Sequence, residues 1–289
     1  MPRPLSITLI CCNNEDLLPR LLASVRPLEP AEIIAVDSGS TDRTLDLLRD
    51  AGARCISHPF TGFVEQKQRA LDHAAQPWAL HLDSDESLLP AAADAVARTV
   101  DDDDPTLAGC LLNRRTFYAG RPLDHAYQPE PRLRLVRPAH TRWTGLDPHD
   151  RLDLTPEAAA AGLRTELIPG DIRHDSITTI ADFLAKQARH GHTHARAHLQ
   201  LYPETPPASP LKLLTSPAGA FLKQLLLKRA FRDGWRGWVA AAAAATAALA
   251  KHAALLEQTN LAREARRDKH PPHPDPDPAP EPQDHTSAP

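Results

Sequence analysis

Short apolar runs alternate with amphipathic segments along the first third of the chain. The runs that predict strands are "SITLICC" (6–12), "EIIAVD" (32–37), "RCISH" (54–58) and "WALHLD" (78–83). Each of the first three is followed by a polar loop and then by apolar residues at helical spacing. Strands that alternate with helices predict an α/β fold, with a mostly parallel central sheet flanked by helices.

Three polar clusters follow these strands: "NNE" (13–15), "DSGSTD" (37–42) and "DSDE" (83–86). Ligands of open α/β sheets bind beyond the carboxyl ends of the strands, so we expect the three clusters to line one cleft. The chain has neither the glycine fingerprint of dinucleotide-binding folds nor a P-loop, which excludes two common explanations of such a cleft.

The last cluster places three carboxylates, Asp83, Asp85 and Glu86, directly after an apolar strand. Like charges repel one another, and a divalent cation such as Mg²⁺ or Mn²⁺ bound by Asp-x-Asp would offset the repulsion and hold a diphosphate. A solvated turn is the plainer interpretation of so short a motif. The two neighbouring clusters favour the metal site.

Composition and charge narrow the class of protein. The 289-residue chain has a net charge of -4, which does not provide the basic face that nucleic-acid binding requires. Its four cysteines form neither a CxxC pair nor a disulfide framework, which is typical of a reducing compartment. The N-terminus lacks the cleavage site of a signal peptide, and we therefore expect a cytoplasmic protein.

Four ordered motifs resemble those of a known family: "CCNNEDLLPRLLASV", "EIIAVDSGSTDRT", "GFVEQKQRALDHA" and "WALHLDSDE". Together they are similar to the family 2 glycosyltransferases of the GT-A fold, in particular to bacterial lipopolysaccharide core glucosyltransferases, over residues 5–200. The resemblance implies metal-dependent, inverting transfer of a hexose, with glucose preferred. The donor would be a nucleotide-diphosphate sugar, a UDP-sugar by preference, and the acceptor a lipopolysaccharide-core or other cell-envelope glycan.

The resemblance also implies roles for individual residues of a donor site. Asn14 and Glu15 would lie near the nucleotide, and Asp37 would bind its base. Asp83 would face the ribose and the metal, Asp85 would ligate the metal, and His174 would be a third ligand or a phosphate contact. Gln66 and Lys67 would contact the donor. Cys12, where an aromatic residue is common, and Gln68, where asparagine is frequent, depart from the family pattern.

A base is also required, because an acceptor hydroxyl is a poor nucleophile until its proton is removed. The resemblance points to Asp150 in "PHDRL", where relatives usually carry His-Glu. His149 would orient this base or meet a donor phosphate.

Plainer structural interpretations stand beside these assignments. Asp37 could cap the following helix, Asp150 could be a surface acid beside Arg151, and His174 could have no ligand role. Arg132, Arg134 and Arg137 could bind phosphate or form a solvated face. For the histidines at 190, 194 and 198 a solvated helix face is favoured over a metal site, and for "DDDD" (101–104) an acidic turn is favoured.

The chain divides into a catalytic domain (1–205), a basic and apolar helical segment (206–268) and a disordered proline-rich tail (269–289). Within 219–258, lysines and arginines interleave with leucine, phenylalanine and tryptophan, as in helices that lie in a membrane interface. The longest uncharged run, 238–250, is too short to span a bilayer. We therefore expect peripheral association with the inner face of the cytoplasmic membrane; a helical hairpin packed on the catalytic domain or on a second subunit is the alternative.

Two other functions remain open from the sequence. Nucleotidyl transfer would use the same sheet and metal but usually needs a glycine-rich basic loop after the first strand, which "CCNNED" does not supply. A catalytically silent nucleotide-sugar-binding or scaffold protein would keep the carboxylates without a working base.

Overall fold

The computed structural model of the chain describes residues 1–145, 150–177, 179–202 and 209–269. The strands are β1 (Arg3–Cys11), β2 (Pro30–Asp37), β3 (Arg54–Ser57), β4 (Trp78–His81), β5 (Glu86–Leu88), β6 (Leu107–Tyr118), β7 (Arg121–Pro122), β8 (Pro131–Val136), β9 (Thr141–Thr144), β10 (Arg151–Leu154) and β11 (Arg164–Ile177). The helices are α1 (Leu18–Val25), α2 (Thr44–Asp50), α3 (Phe63–Asp72), α4 (Pro90–Asp102), α5 (Pro156–Ala160), α6 (Ile180–Leu201), α7 (Lys212–Leu222) and α8 (Trp235–Lys269). The predicted division at 205 and nearly all of the predicted tail lie outside the described residues, so the domain division stays a prediction.

A sheet in the order β3-β2-β1-β4-β8-β6-β11-β5 forms the centre of the protein, with β7 paired to β6. The pairs β1–β2, β1–β4, β2–β3 and β6–β11 are parallel, which confirms the predicted mostly parallel sheet. Strand β8 is antiparallel to both of its neighbours, β4 and β6. The carboxyl ends of β1, β2, β4, β6 and β11 therefore lie at one edge of the sheet, which we call the carboxyl edge.

The core is built around β1 and β4. Leu5, Ile7 and Leu9 of β1 and Trp78 of β4 are completely buried, as expected for strands covered by helices on both faces. The Trp78 indole nitrogen donates to Asp103 Oδ1 at 2.9 Å. The predicted acidic turn at 101–104 is thus the end of α4, and Asp103 fastens it to the core.

A two-stranded ribbon of β9 and β10 lies beside the sheet. Trp143 and Leu152 of this ribbon are buried against Leu71, Ala79 and Val136. Because the ribbon is packed in this way, the start of β10 is held close to α3 and to the end of β4.

The last three described helices pack on one another and on the carboxyl edge. Ala195 of α6 is buried with Ala254 and Leu255 of α8. The beginning of α8 places Ala240 beside Tyr118, the last residue of β6. The alternative of a helical segment packed on the catalytic sheet is therefore what the structure has.

Helix α8 is longer than the sequence suggested. An 18-residue window within Trp235–Ala265 has a mean hydropathy of 1.5, so by length and composition alone the helix could cross a membrane, a test that the core helix of a soluble protein also passes. The uncharged run 238–250 is still too short to span by itself, and the helix reaches a sufficient length only by continuing through Lys251 and Glu257. The histidine face of α6 is not fully solvated either, since the side chains of His194 and His198 are half-buried.

Candidate active site

The cluster after β4 is tied into a tight turn at the carboxyl edge. The amide of Glu86 donates to the Asp83 carbonyl at 2.8 Å, and the amide of Asp83 donates to Glu86 Oε2 at 3.1 Å. This turn directs Glu86 into the protein, where only 1% of it is exposed, and leaves Asp83 and Asp85 partly exposed. The three carboxylates therefore have three different surroundings.

Protein cations offset the repulsion between Asp83 and Glu86. A nitrogen of the Arg134 guanidinium lies 2.9 Å from Asp83 Oδ2 and 2.7 Å from Glu86 Oε1. Lys67 Nζ lies 2.6 Å from Asp83 Oδ1, and Arg114 lies 3.4 Å from Glu86 Oε1. Three basic side chains thus offset the repulsion of two of the acids, a contribution that the metal hypothesis did not include; the metal itself stays a prediction.

The ionisation of these groups follows from the pairing. Burial on its own would raise the pKa of Asp83, yet the adjacent Lys67 and Arg134 cations bring that pKa well below its ordinary value. Burial works against the charged form of Arg134, but Glu86 and Asp83 raise its pKa above the ordinary value. Asp83 and Arg134 are therefore both charged at neutral pH.

Asp85 faces a histidine instead. Strand β11 pairs with β5 so that His174 lies opposite Glu86, and the amide of Asp175 donates to the Asp85 carbonyl at 2.8 Å. His174 Nε2 is 3.4 Å from Asp85 Oδ2 and is the one ion-pair partner that Asp85 has in the described part of the chain. Burial would raise the pKa of Asp85, but His174 lowers it.

The donor set at Asp85 and His174 fits a divalent cation completed by substrate. A carboxylate oxygen and an imidazole nitrogen suit Mn²⁺, and such cations commonly combine few protein ligands with substrate phosphates. Across residues 1–145, 150–177, 179–202 and 209–269, no group of three or more His, Cys, Asp or Glu is arranged to hold a metal. Asp83, whose two oxygens contact Lys67 and Arg134, is less available than the sequence suggested.

Lys67 joins the cluster to the candidate base. It projects from α3, is 4% exposed and lies over the Trp143 ring at 4.9 Å. Its ammonium is 2.7 Å from Asp150 Oδ2 as well as contacting Asp83. A single side chain thus holds the carboxylate after β4 and the carboxylate before β10 together, and Asp150 is not the isolated surface acid of the plainer interpretation.

A second network joins the loops after β1 and β2. Asp37 accepts hydrogen bonds from the amides of Gly39 at 2.9 Å and Ser40 at 3.0 Å, so it closes its own turn and does not cap α2. Asn14 Oδ1 accepts from the amide of Cys12 at 2.8 Å, and Glu15 Oε2 accepts from the amide of Arg43 at 3.1 Å. The two loops meet at the carboxyl edge, as predicted.

Gln66 lies deeper than its predicted contact with the donor suggests. It is completely buried, and its side-chain nitrogen donates to the carbonyls of His58 at 3.1 Å and Pro59 at 2.9 Å. It shapes the loop before α3. Its role towards the donor stays a prediction, as does that of His149, which lies outside the described residues.

A cavity of about 400 Å³ opens beside this network. It is lined by Lys67, Asp83, Arg114, Arg132, Arg134, Trp143 and Asp150, together with other residues of β6, β8 and β10. Sequence reasoning missed Arg114 and Trp143, and it left Arg134 between two interpretations. Nothing in the local pattern marks them, because their partners are distant in the chain: Arg114 pairs with Glu130 and Glu86, 16 and 28 residues away, and the partners of Arg134 and Trp143 lie 48 or more residues away.

The other two arginines of β8 and its flank have structural partners. Arg132 pairs with Glu130 at 2.7 Å with its side chain 41% exposed, and Arg137 stacks over the Trp78 ring at 4.2 Å. Neither a phosphate-binding site nor a solvated face therefore describes Arg132, Arg134 and Arg137 together.

The sequence of residues 6–150 matches the model of the family described as glycosyl transferase family 2. The lipopolysaccharide core biosynthesis glycosyltransferase LpsC of Rhizobium meliloti is 29% identical over 248 residues, which are 82% of this chain and 86% of that protein. An uncharacterized glycosyltransferase of Rickettsia prowazekii is 26% identical over 243 residues, 82% of this chain and 81% of that protein.

A solved structure with a local likeness is glucosyl-3-phosphoglycerate synthase from Mycobacterium tuberculosis in complex with Mn²⁺, uridine diphosphate and glucosyl-3-phosphoglycerate. It is 27% identical, covers 41% of this chain and 45% of the other, and has a TM-score of 0.31. The family match spans the carboxylate turn, Lys67 and Asp150, so the network described above lies within the matched region. The chain belongs to glycosyl transferase family 2 and has the GT-A fold of that family.

Proposed function

We propose that this protein is an inverting glycosyltransferase that moves a hexose from a nucleotide-diphosphate sugar to a glycan of the cell envelope. Lipopolysaccharide core is the acceptor class we favour, because the relationship to LpsC extends over most of both chains. A UDP-sugar, with glucose as the hexose, is the donor we would test first, as the family resemblance implies.

One observation carries the proposal: Lys67 joins Asp83 and Asp150 across the cavity, with the Asp85–His174 pair at the same turn. Glycosyl transfer needs a base for the acceptor, a place for the donor diphosphate and positive charge near the leaving group. This cleft offers a carboxylate as base, the Asp85–His174 pair beside the diphosphate position, and three basic side chains. Arg114, Arg134 and Lys67 line it, and each is already paired with a carboxylate, so a diphosphate would meet cations that share their charge with these acids.

The chain's own residues have distinct tasks in this mechanism. Asp150 takes the proton of the acceptor hydroxyl as its oxygen attacks the anomeric carbon, while the bond from that carbon to the diphosphate oxygen breaks and the electron pair leaves with the diphosphate. Lys67 engages Oδ2 of Asp150, so we assign Oδ1 as the proton acceptor. A single displacement of this kind inverts the anomeric carbon.

Asp85 and His174 would hold a divalent cation, which supplies charge neutralisation of the departing diphosphate when it is bound. Asp83, fixed by Lys67 and Arg134, would accept a hydrogen bond from the ribose. Asn14, Glu15 and Asp37 shape the loops beside the nucleotide. We place the protein in the cytoplasm, at the inner face of the cytoplasmic membrane, where lipid-linked glycan acceptors are available.

Turnover of UDP-glucose and related UDP-sugars with core oligosaccharide acceptors tests the proposal. Asp150→Asn should lower kcat by about 10²–10⁴-fold, the usual contribution of a general base, while UDP binding persists. The neighbouring Asp153→Asn is the matched control, because Asp153 pairs with the exposed Arg151 on the ribbon. If the wild type binds UDP but turns over no donor with any acceptor, the silent scaffold protein becomes the better account.

A further inference from the structure

Large apolar side chains are exposed on a compact part of the C-terminal segment. They are Leu222, Leu226, Leu227, Phe231, Trp235 and Trp238, with exposed fractions from 47% for Phe231 to 79% for Leu227. The exposed cations Lys223, Arg229 and Arg232 lie among them. We call these nine residues the basic apolar face. A soluble surface rarely exposes so many neighbouring leucines and tryptophans, and such patches mark interaction sites.

The exposure does not come from loose packing of the segment. Leu225, Ala230 and Ala240 are buried beneath it, and a Cβ on Gly237 would lie 1.6 Å from the Ala230 carbonyl oxygen. The close approach of α8 to the turn at Ala230–Asp233 fixes the backbone. The chain has therefore placed its small residues inside and its large apolar residues outside.

The charge of the face is positive throughout. Between residues 209 and 256 the sequence contains one acid, Asp233. Its side chain is 4% exposed and points inward, 2.9 Å from His125 Nδ1, and it accepts hydrogen bonds from the backbone amides of Asp124, His125 and Ala126. The one negative charge of residues 209–256 is thus withdrawn from the surface, and the neighbouring exposed Asp124 lies 3.6 Å from an Arg115 guanidinium nitrogen, which leaves cations among exposed aromatic and aliphatic side chains.

The face also lies at the same edge of the sheet as the cleft. His174, the partner of Asp85, is in register with Thr116 of β6, and Ile177 is in register with Tyr118. Tyr118 packs edge-on against Trp235 of the face, with ring centroids 5.5 Å apart. Thr116, which is level with His174, and Tyr118, which contacts Trp235, are two residues apart on β6, about 7 Å at the usual rise per residue.

We propose that the basic apolar face docks in the interface of an anionic lipid bilayer and so presents the carboxyl edge to the membrane surface. Cations bind anionic headgroups at about 1 kcal/mol each, and tryptophan and leucine enter the boundary between headgroups and acyl chains. The docking proposal is independent of the proposed function. Only the idea that this orientation brings the cleft to a lipid-anchored acceptor rests on the proposed function.

Docking by this face differs from insertion of α8 across the bilayer. The flank of α8 is engaged by polar partners: His252 contacts the hydroxyl of Ser216 at 2.8 Å, and Gln258 contacts His192 at 3.2 Å. The backbone at Ala250 and Lys251 also packs closely against Gly191 of α6. A spanning α8 would have to break these contacts or take the charged α6 with it.

Sedimentation of the full-length protein with vesicles tests the docking without nucleotide or acceptor. We expect binding to phosphatidylcholine–phosphatidylglycerol vesicles, weak binding to pure phosphatidylcholine, and release from the membrane at alkaline pH. The charge variant Lys223→Glu with Arg232→Glu, and the apolar variant Leu226→Ser with Leu227→Ser, should each lower the partition coefficient about tenfold or more.

Matched controls lie elsewhere on the surface. Arg98→Glu with Arg54→Glu changes exposed charges on α4 and β3, and Leu167→Ser removes an exposed leucine of β11; neither should alter partitioning. Circular dichroism confirms that each variant is folded. Unchanged binding of both face variants, equal binding to neutral vesicles, or resistance to alkaline extraction overturns the proposal. Asp85→Ala should bind vesicles like the wild type, which separates failure of docking from failure of the proposed function.

Discussion

The cleft and the basic apolar face lie at one edge of the sheet but have opposite designs. In the cleft, charged side chains are buried and each has a partner of opposite sign, as with Arg134 between Asp83 and Glu86. On the face, apolar side chains are exposed, and Asp233, the one acid between residues 209 and 256, is turned inward. A buried charge network of this kind positions chemistry inside the protein, whereas an exposed apolar surface indicates a partner outside it.

Removing the central cation of the cleft should give the largest effect. Arg134→Met leaves Asp83 and Glu86 facing each other without Arg134, and an uncompensated buried charge costs about 3–5 kcal/mol. Denaturant unfolding measures the loss in free energy of unfolding. Arg132→Met, two residues along the same strand and 41% exposed, is the control and should cost less than about 1 kcal/mol. Equal losses from the two variants would mean that the buried network is not what stabilises the turn.

The Asp85–His174 pair offers a smaller effect that concerns binding and not folding. His174→Ala should weaken Mn²⁺-dependent UDP binding by about tenfold or more, as loss of a metal-site group commonly does, with little change in unfolding. His140→Ala is the control, because His140 follows β8 and lies at the opposite edge of the sheet. Metal-dependent affinity that survives in His174→Ala would remove His174 from the site and leave Asp85 to bind the metal with the diphosphate alone.

Substitution of two glycines by alanine compares the packing under the basic apolar face with the packing on open surface. Gly237→Ala drives a methyl group into the Ala230 carbonyl and should cost about 1–3 kcal/mol through overpacking. Gly219→Ala, inside α7, meets nothing within 4 Å and should raise stability by up to about 1 kcal/mol, the difference in helix propensity. Thermal unfolding of both variants measures these changes in stability. If Gly237→Ala is as stable as the wild type, the segment beneath the face is not rigidly packed.

The parts of the fold that local pattern determines were predictable from the sequence. The first four strands and three helices follow from periodicity, and their parallel order follows from the alternation, so the meeting of the loops at Asn14, Asp37 and Asp83 was expected. The family resemblance implied only that Lys67 contacts the donor, and its ion pair with Asp83 was not predicted. Burial of Arg134 was not predictable, because "PRLRLV" has the same alternation whether its arginines face water or carboxylates.

In the C-terminal segment, too, the sequence predicted the type of surface but not which side chains are buried. Interleaved basic and apolar residues indicated an interfacial helix, but composition could not show that Asp233 folds inward or that Leu225 and Ala230 are buried while Leu227 and Trp238 are exposed. Those facts depend on the π-helical turn at Lys223–Leu227 and the left-handed backbone at Arg229. The residues that follow them contact Tyr118 and Ala126, more than a hundred residues earlier, which local sequence does not reveal.

Calorimetric titration of UDP and GDP into the wild type and Asp85→Ala, with and without Mn²⁺, tests the central claim most directly. If the carboxyl edge is a donor site, the wild type binds UDP in a Mn²⁺-dependent manner, and Asp85→Ala loses that dependence while remaining folded. If neither nucleotide binds with or without the metal, the turn at Asp83–Glu86 is a structural charge network only, and the assignment of donor transfer to this cleft is contradicted.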